Sequence, residues 1–132
     1  MQLKIFAFTS VISIFAFIFT SCGPTILGSG KIETQNRTVS EFDEIDISGG
    51  HFNVFLRQGS EEDLKIEADD NLLEVIESDV IGNTLTISNN QRMISKKGIS
   101  PYITIRELSR LEISGASTIK TKSPFNNIRF FF

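Results

Sequence analysis

The sequence predicts an all-β protein, and three observations lead to this prediction. From residue 22 onward the chain contains 15 Ile, 4 Val and 8 Thr but only 2 Ala. Side chains branched at Cβ lose rotamer freedom in helices and fit the pleated surface of a sheet. Apolar and polar residues alternate with period two in several short segments, as in strands that bury one face. Gly- and Asn-containing turn signals separate these segments.

The alternating segments predict strands in a regular succession along the chain. They are residues 42–47, 52–56, 64–68, 85–87, 102–105, 111–113 and 119–121. The glycines expected at the turns are Gly49, Gly50, Gly59, Gly82 and Gly115. One short helical turn is predicted within residues 69–77, where an aspartate precedes four apolar residues. Residues 92–98 lack clean alternation and are interpreted as a loop.

The first 21 residues read as a targeting segment. Lys4 precedes an apolar stretch from Ile5 to Phe19, which is short for a transmembrane helix. Cys22, the single cysteine, follows this stretch directly. The arrangement resembles a bacterial lipoprotein signal, whose cysteine is lipidated and becomes the mature N-terminus, although Phe19 stands where that signal prefers Leu. We therefore expect a signal peptide over 1–21, lipidation at Cys22 and a spacer over 22–30; the alternative is a free thiol after an uncleaved anchor.

A repeat is hidden in the strand pattern. Residues 41–49 and 107–115 both read Glu, apolar, two polar residues, apolar, acid, Ile, Ser, Gly. In physical terms each copy is a strand that ends in a tight Ser-Gly turn, where glycine supplies backbone angles that other residues resist. Recurring strands with a fixed turn suggest the stacked rungs of a β-solenoid. A sandwich with two similar strands is the alternative.

The order of several stretches resembles a known family of bacterial lipoproteins. The stretches are residues 28–31, 37–42, 45–50, 54–59, 66–73, 82–87 and 111–116. Together they are similar to the putative auto-transporter adhesin, head GIN domain family, found in Bacteroidetes-type bacteria. The resemblance implies a right-handed parallel β-helix with two sheets and Ser-Gly turns over residues 31–124. It also implies adhesion or surface binding, and it offers no catalytic residues to carry over.

The C-terminus departs from this family. Relatives continue through further Ser-Gly rungs, whereas here the pattern stops after residue 122 and residues 125–132 form an atypical Phe-rich tail. An unfinished solenoid leaves an edge strand with unpaired backbone groups. We therefore expect a C-terminally truncated solenoid whose last rung is exposed.

Composition and motifs argue against several classes of function. The formal charge of −3 and the absence of a basic run argue against nucleic-acid binding. One cysteine and one histidine do not make a multi-ligand metal centre. His51 follows Gly50 at a turn, and the nearby Ser48 and Asp46 share one strand face rather than converging on the imidazole. Three acidic clusters, at residues 43–46, 61–63 and 67–70, lack the spacing of a calcium loop and are interpreted as charged turns that keep sheet edges soluble, with a calcium site as the alternative.

The functional prediction is a non-catalytic lipoprotein of the cell envelope. It would be held at the membrane, most simply the outer membrane, through Cys22, and would bind a surface, a glycan or a protein through a sheet face. No catalytic residue, metal or cofactor is predicted. The oligomeric state and the periplasmic or surface-facing orientation stay open. A polysaccharide-active β-helix enzyme and a structural envelope protein without a specific ligand are the two alternatives.

Overall fold

The computed structural model describes residues 23–122, 124–125 and 129–131. The expected signal peptide over 1–21 and Cys22 lie outside the described residues. The strands and the one short helix follow in chain order: β1 (Ile26–Leu27), β2 (Ile32–Arg37), β3 (Glu44–Ile47), β4 (Asn53–Gln58), β5 (Asp63–Asp69), α1 (Asp70–Leu73), β6 (Ile76–Ile81), β7 (Thr84–Asn89), β8 (Met93–Ile94), β9 (Ser100–Ile105), β10 (Arg110–Ile113), β11 (Thr118–Thr121) and β12 (Arg129–Phe131). The prediction of an all-β fold with one helical turn is confirmed.

Two five-stranded sheets and one small two-stranded sheet make up the described fold. Sheet one has the strand order β12-β10-β3-β7-β6, and sheet two has the order β11-β4-β9-β5-β2. The small sheet pairs β1 with β8. The inward side chains of both large sheets form one continuous core, which includes Ile45, Leu85 and Leu111 from sheet one and Leu56 and Ile103 from sheet two. The buried inward side chains therefore determine which side chains of each strand face outward.

Three coils, each a strand of sheet one followed by a strand of sheet two, stack through parallel pairing. They are β3–β4, β7–β9 and β10–β11. The two copies of the sequence repeat lie side by side, because Leu111 pairs with Ile45 and Ile113 with Ile47. Their Ser-Gly turns are also adjacent, since the Ser114 amide donates to the Ile47 carbonyl at 2.9 Å. The repeat therefore describes two neighbouring coils.

The stacking differs from a regular parallel solenoid in two ways. The coil β3–β4 lies in the middle of the stack, between β7–β9 and β10–β11, so stacking order does not follow chain order. In addition, β5 runs antiparallel to β2 and β9, and β6 runs antiparallel to β7. The reason at β6–β7 is local: a loop of two residues, Gly82 and Asn83, can join antiparallel strands only, and Gly82 has the positive φ of such a hairpin turn.

Both ends of the described chain join sheets. Residues 26–27, within the expected spacer, form β1, and residues 93–94, within the expected loop, form its partner β8. Part of the Phe-rich tail pairs with sheet one as β12, and Phe125 packs against the core. These short segments carry too few residues for a visible alternation, so only tertiary pairing defines them.

Candidate functional site

The expected turn glycines occupy different environments. Gly49 and Gly115 have φ of 96° and 100°, a region that favours glycine, and they lie in adjacent turns. A Cβ on Gly115 would come within 2.5 Å of the Gly49 carbonyl oxygen. Gly50 donates its amide to Asn89 Oδ1 at 2.6 Å, a Cβ on Gly59 would meet Thr104, and Gly82 lies in open space. Apart from the open Gly82, these glycines set the spacing between coils and are not themselves a binding surface.

His51 has no catalytic surroundings in the described part of the chain. It is exposed and lines a hollow together with Asn89, Arg92, the residues of β8 and nearby turn glycines. No carboxylate lines this hollow. The imidazole therefore lacks an acid in this hollow that would orient it. Ser95 also lines the hollow, but its hydroxyl donates to Asp69.

The acidic clusters serve structural contacts. Asp43 links neighbouring coils, because its carboxylate accepts hydrogen bonds from Asn83 at 2.7 Å and from Ser109 at 3.1 Å. Glu62 accepts from Arg106 at 2.8 Å, and this hydrogen bond holds the pKa of the Glu62 carboxyl below its usual value. Within residues 23–122, 124–125 and 129–131, no three histidine, cysteine or acidic side chains converge as metal ligands.

Asp69 is a buried carboxylate that holds the small sheet on the core. Its Oδ1 accepts from the Gly30 amide at 2.8 Å, and its Oδ2 accepts from the Ser95 hydroxyl. The hydrogen bond from Ser95 is the main cause that lowers the pKa of Asp69, although burial opposes it. The carboxylate therefore connects the segment before β2 to the segment after β8.

The outward face of sheet two carries a different set of side chains, which we call the aromatic–basic face: Phe55, Arg57, Asp63, Lys65, Tyr102, Thr104, Lys120 and Lys122. The strand register places Lys120, Phe55, Tyr102 and Lys65 in one row across four strands. Neighbouring strands are about 4.8 Å apart, so the two lysines at the ends of this row are separated by about 14 Å at the backbone.

The two aromatic rings of this row are stacked. The centroids of Phe55 and Tyr102 are 4.8 Å apart and the ring planes differ by 9°. The Lys120 ammonium lies 5.7 Å from the Phe55 centroid, within the range of a cation–π contact. Because one face of each ring is turned toward the other ring, the stack presents ring edges and the Tyr102 hydroxyl more than open ring faces.

A second row lies next to the aromatic row. Arg57 is opposite Thr104, and Thr104 is opposite Asp63. Arg57 Nε donates to Thr104 Oγ1 at 2.8 Å, which orients the guanidinium. Lys122 continues this row, since its amide donates to the Leu56 carbonyl at 3.0 Å. Between the two rows is a hollow of about 200 Å³.

The cations of this face are available for a ligand. Lys31, Arg106 and Arg110 each form an ion pair with at least one carboxylate. Among the described residues, Arg57, Lys65, Lys120 and Lys122 form none within 4.0 Å, and all four are exposed. A chain of net charge −3 thus concentrates four unpaired positive charges on one sheet face.

The sequence analysis does not identify this site. Phe55 and Tyr102 fall in the alternating segments 52–56 and 102–105, and both side chains face outward. The signal was present: Val54 and Leu56 are buried, so period two places Phe55 on the other face. The same reasoning applies to Tyr102, which precedes the buried Ile103.

The chain is similar in fold to solved structures of bacterial proteins. A putative adhesin from Parabacteroides merdae matches with a TM-score of 0.71 and 20% identity, over 82% of this chain and 46% of that one. A putative lipid binding protein from Parabacteroides distasonis matches with a TM-score of 0.70 and 22% identity, over 81% and 48% of the two chains. A putative adhesin from Bacteroides fragilis matches with a TM-score of 0.64 and 28% identity, over 71% and 44%.

These comparisons establish the family. The chain spans less than half the length of those three solved proteins. No curated protein sequence gives a significant match. Residues 41–130, which include all three stacked coils, match the family described as putative auto-transporter adhesin, head GIN domain. This match covers well over half of the sequence, and the chain therefore belongs to that family.

Proposed function

We propose that this chain is a non-catalytic binding protein of the cell envelope, anchored at Cys22, that holds an anionic ligand on its aromatic–basic face. The observation that carries the proposal is the group of four exposed cations without ion pairs around a stacked aromatic pair. Family membership and the adhesin neighbours support a surface-binding role. The three stacked coils support reading the fold as a short solenoid that offers its flat sides for contact.

The chemistry of the hollow favours an acidic polysaccharide as the ligand. Arg57, Lys65 and Lys122 line it and would neutralise carboxylate or sulfate groups. Asp63 and Tyr102 line the same hollow and would hydrogen-bond sugar hydroxyls. A ligand that carries both acids and hydroxyls satisfies this mixed lining. The rows of cations across the strands suit a polymer with repeated charges.

Glycoside hydrolysis has less support at this site. Hydrolysis normally uses two carboxyl groups on either side of the glycosidic bond. The hollow is lined by one carboxylate, Asp63. A polysaccharide-active enzyme is one of the two alternatives predicted from the sequence, so the test includes turnover. New reducing ends after incubation with acidic polysaccharides would overturn the non-catalytic proposal.

The test of ligand binding compares two double variants with equal charge. The full chain, purified in detergent, is titrated with alginate, with heparin and with neutral dextran. K65A/K122A removes two cations from the aromatic–basic face, and the control K96A/K97A removes two from the loop after β8. We expect alginate or heparin binding to weaken about tenfold in the first variant, since tenfold is about 1.4 kcal/mol and each exposed charge contributes about 0.7 kcal/mol. Equal affinity of the two variants, or preference for dextran, would contradict the proposal.

The anchor and the orientation are tested separately. Mass spectrometry of the purified chain shows whether Cys22 carries acyl chains. Protease treatment of intact cells, compared with lysed cells, shows whether the domain faces outward. Cleavage only after lysis would place the ligand in the periplasm and argue against adhesion to another cell.

A further inference from the structure

The small sheet β1–β8 exposes two large apolar side chains next to each other. Leu27 is 66% exposed and Ile94 is 53% exposed, and the two residues pair directly across the strands. Their neighbours Ile26 and Met93 face the core and pack against it. The outward orientation of Leu27 and Ile94 is therefore fixed by the pairing and by the anchored neighbours.

Positive charges flank this apolar pair. Exposure alternates along residues 92–96: Arg92, Ile94 and Lys96 are exposed, whereas Met93 and Ser95 are partly buried. Arg92 directly precedes β8 and lines the same hollow as Ile94, and Lys96 lies in the bend two residues after β8. The segment from 92 to 98 contains three cations and no acid. In the part of the chain that the structure describes, Arg92, Lys96 and Lys97 form no ion pair.

Hydrogen bonds hold the segments that carry Leu27 and Ile94 on the domain. Asp69 joins these two segments through Gly30 and Ser95. Asn71 Nδ2 donates to the Leu27 carbonyl at 2.8 Å, and the Ser29 amide donates to Asn71 Oδ1 at 2.9 Å. The acidic residues nearest to these segments are engaged, since Asp70 accepts from Ser29 and pairs with Lys31, which also pairs with Glu33. A contact made by the patch would therefore orient the whole domain.

We propose that Leu27, Ile94, Arg92 and Lys96 form a docking patch for the surface of an anionic lipid bilayer. An apolar centre with flanking cations is the chemistry that binds the boundary between headgroups and acyl chains. Leu27 is five residues after Cys22, so even an extended tether reaches only about 17 Å. This inference rests on the anchor in the proposed function and uses a surface separate from the aromatic–basic face.

A single introduced tryptophan tests the docking directly, because the chain contains no Trp. The acylated full chain is reconstituted into vesicles of phosphatidylcholine with phosphatidylglycerol, some of them made with brominated lipids that quench indole fluorescence on contact. The variant I94W places the probe in the patch. The matched control I81W places it at another exposed isoleucine, which is 71% exposed on β6. We expect at least about twofold stronger quenching for I94W, since indole favours the bilayer interface.

A charge variant and an anchor readout complete the experiment. Adding R92E and K96E to I94W should reduce quenching in vesicles with phosphatidylglycerol and change it less in phosphatidylcholine alone.

Equal quenching of I94W and I81W, or no quenching of I94W in an acylated chain, would overturn the docking patch while leaving the anchor in place. The intact mass of the same sample reports acylation, so an unacylated chain that still shows I94W quenching would support docking and remove the anchor. An unacylated chain without quenching would count against both.

Discussion

The two large sheets share one core but expose opposite chemistry. The outward face of sheet one carries threonines and five acids, which are Glu44, Asp46, Glu77, Asp79 and Glu112. Its cation Arg110 pairs with Glu112, lies 3.8 Å from Glu44 and sits 5.3 Å from the Phe131 centroid. The outward face of sheet two carries four cations without ion pairs around two aromatic rings. On sheet one Arg110 is paired with carboxylates and acidic side chains are in excess, whereas on sheet two four cations without ion pairs are left for a ligand.

This difference shows where a binding function can reside in a fold without a deep cleft. Charges that pair within a surface contribute little to stability, because exposed ion pairs are worth about 0–1 kcal/mol. Unpaired charges of one sign raise the local concentration of oppositely charged ligands. The comparison between the two faces can be tested by variants that affect both faces, one face or neither.

The largest effect is expected from Gly115→Ala, which affects both faces at once because the turn joins β10 in sheet one to β11 in sheet two. The new Cβ would meet the Gly49 carbonyl at 2.5 Å, and φ is +100°. We expect the free energy of unfolding to fall by about 3 kcal/mol. Urea denaturation followed by circular dichroism measures it. Gly82→Ala is the control, with open space at the Cβ and an expected loss of about 1 kcal/mol. Equal losses in the two variants would show that the contact between the two turns does not contribute to stability.

Charge reversal on one face should be the next largest effect. K65E/K120E reverses both ends of the aromatic row, and we expect acidic polysaccharide binding to weaken about thirtyfold or more because attraction becomes repulsion. Stability should change by less than about 1 kcal/mol, as both residues are exposed and unpaired in the described structure. Isothermal titration with alginate and thermal unfolding measure the two quantities.

The control for this reversal is K96E/K97E, which changes the net charge equally away from the face. If it weakens binding as much as K65E/K120E does, net charge alone controls affinity and the distinction between the faces disappears. If neither variant affects binding, the ligand contacts another surface.

Removing the aromatic stack should give a smaller effect. Tyr102→Ala eliminates a stacked pair, which contributes about 0.5–1.5 kcal/mol beyond simple burial. We expect a loss of stability of about 1 kcal/mol and a several-fold loss of affinity. Thr86→Ala on the same outward face of sheet one is the control and should change both quantities by less than about 0.5 kcal/mol. Unchanged affinity in Y102A would leave the cations alone as the binding group.

On sheet one, Arg110→Ala should have the smallest effect. Its ion pairs are exposed, so we expect stability to change by about 0.5 kcal/mol and polysaccharide affinity to stay within about twofold. Fluorescence-monitored binding and thermal unfolding both check this result. A large loss of affinity would show that the ligand also uses sheet one.

A pH titration tests the buried carboxylate that holds the small sheet β1–β8 on the core. The pKa of Asp69 is lower in the folded protein than its usual value near 3.8, so the carboxylate stabilises the fold above that pH. This contribution is lost as the pH falls through the lower folded value. We therefore expect the difference in stability between the wild type and Asp69→Asn to shrink on acidification below about pH 4. A difference that stays constant across this range would contradict the role of the charged form.

Some features of the site could be predicted from sequence and others could not. The buried residues Val54, Leu56 and Ile103 define the inward face, and period two then determines that Phe55 and Tyr102 face outward. That Phe55 and Tyr102 touch each other required the pairing of β4 with β9. That Lys65 joins the row required the antiparallel pairing of β5 with β9, which local pattern does not specify.

The sequence by itself determined the strand composition, the direction in which most strand residues point, the helical turn and the repeated Ser-Gly turn, because these depend on local periodicity and on glycine geometry. Only the tertiary structure decided that the coil β3–β4 lies between the other two, and that residues from four strands form one cationic face. The physical reason is that lateral strand pairing is non-local. Backbone hydrogen bonds are nearly the same for any pair of strands, so the choice of neighbour depends on how the whole core packs.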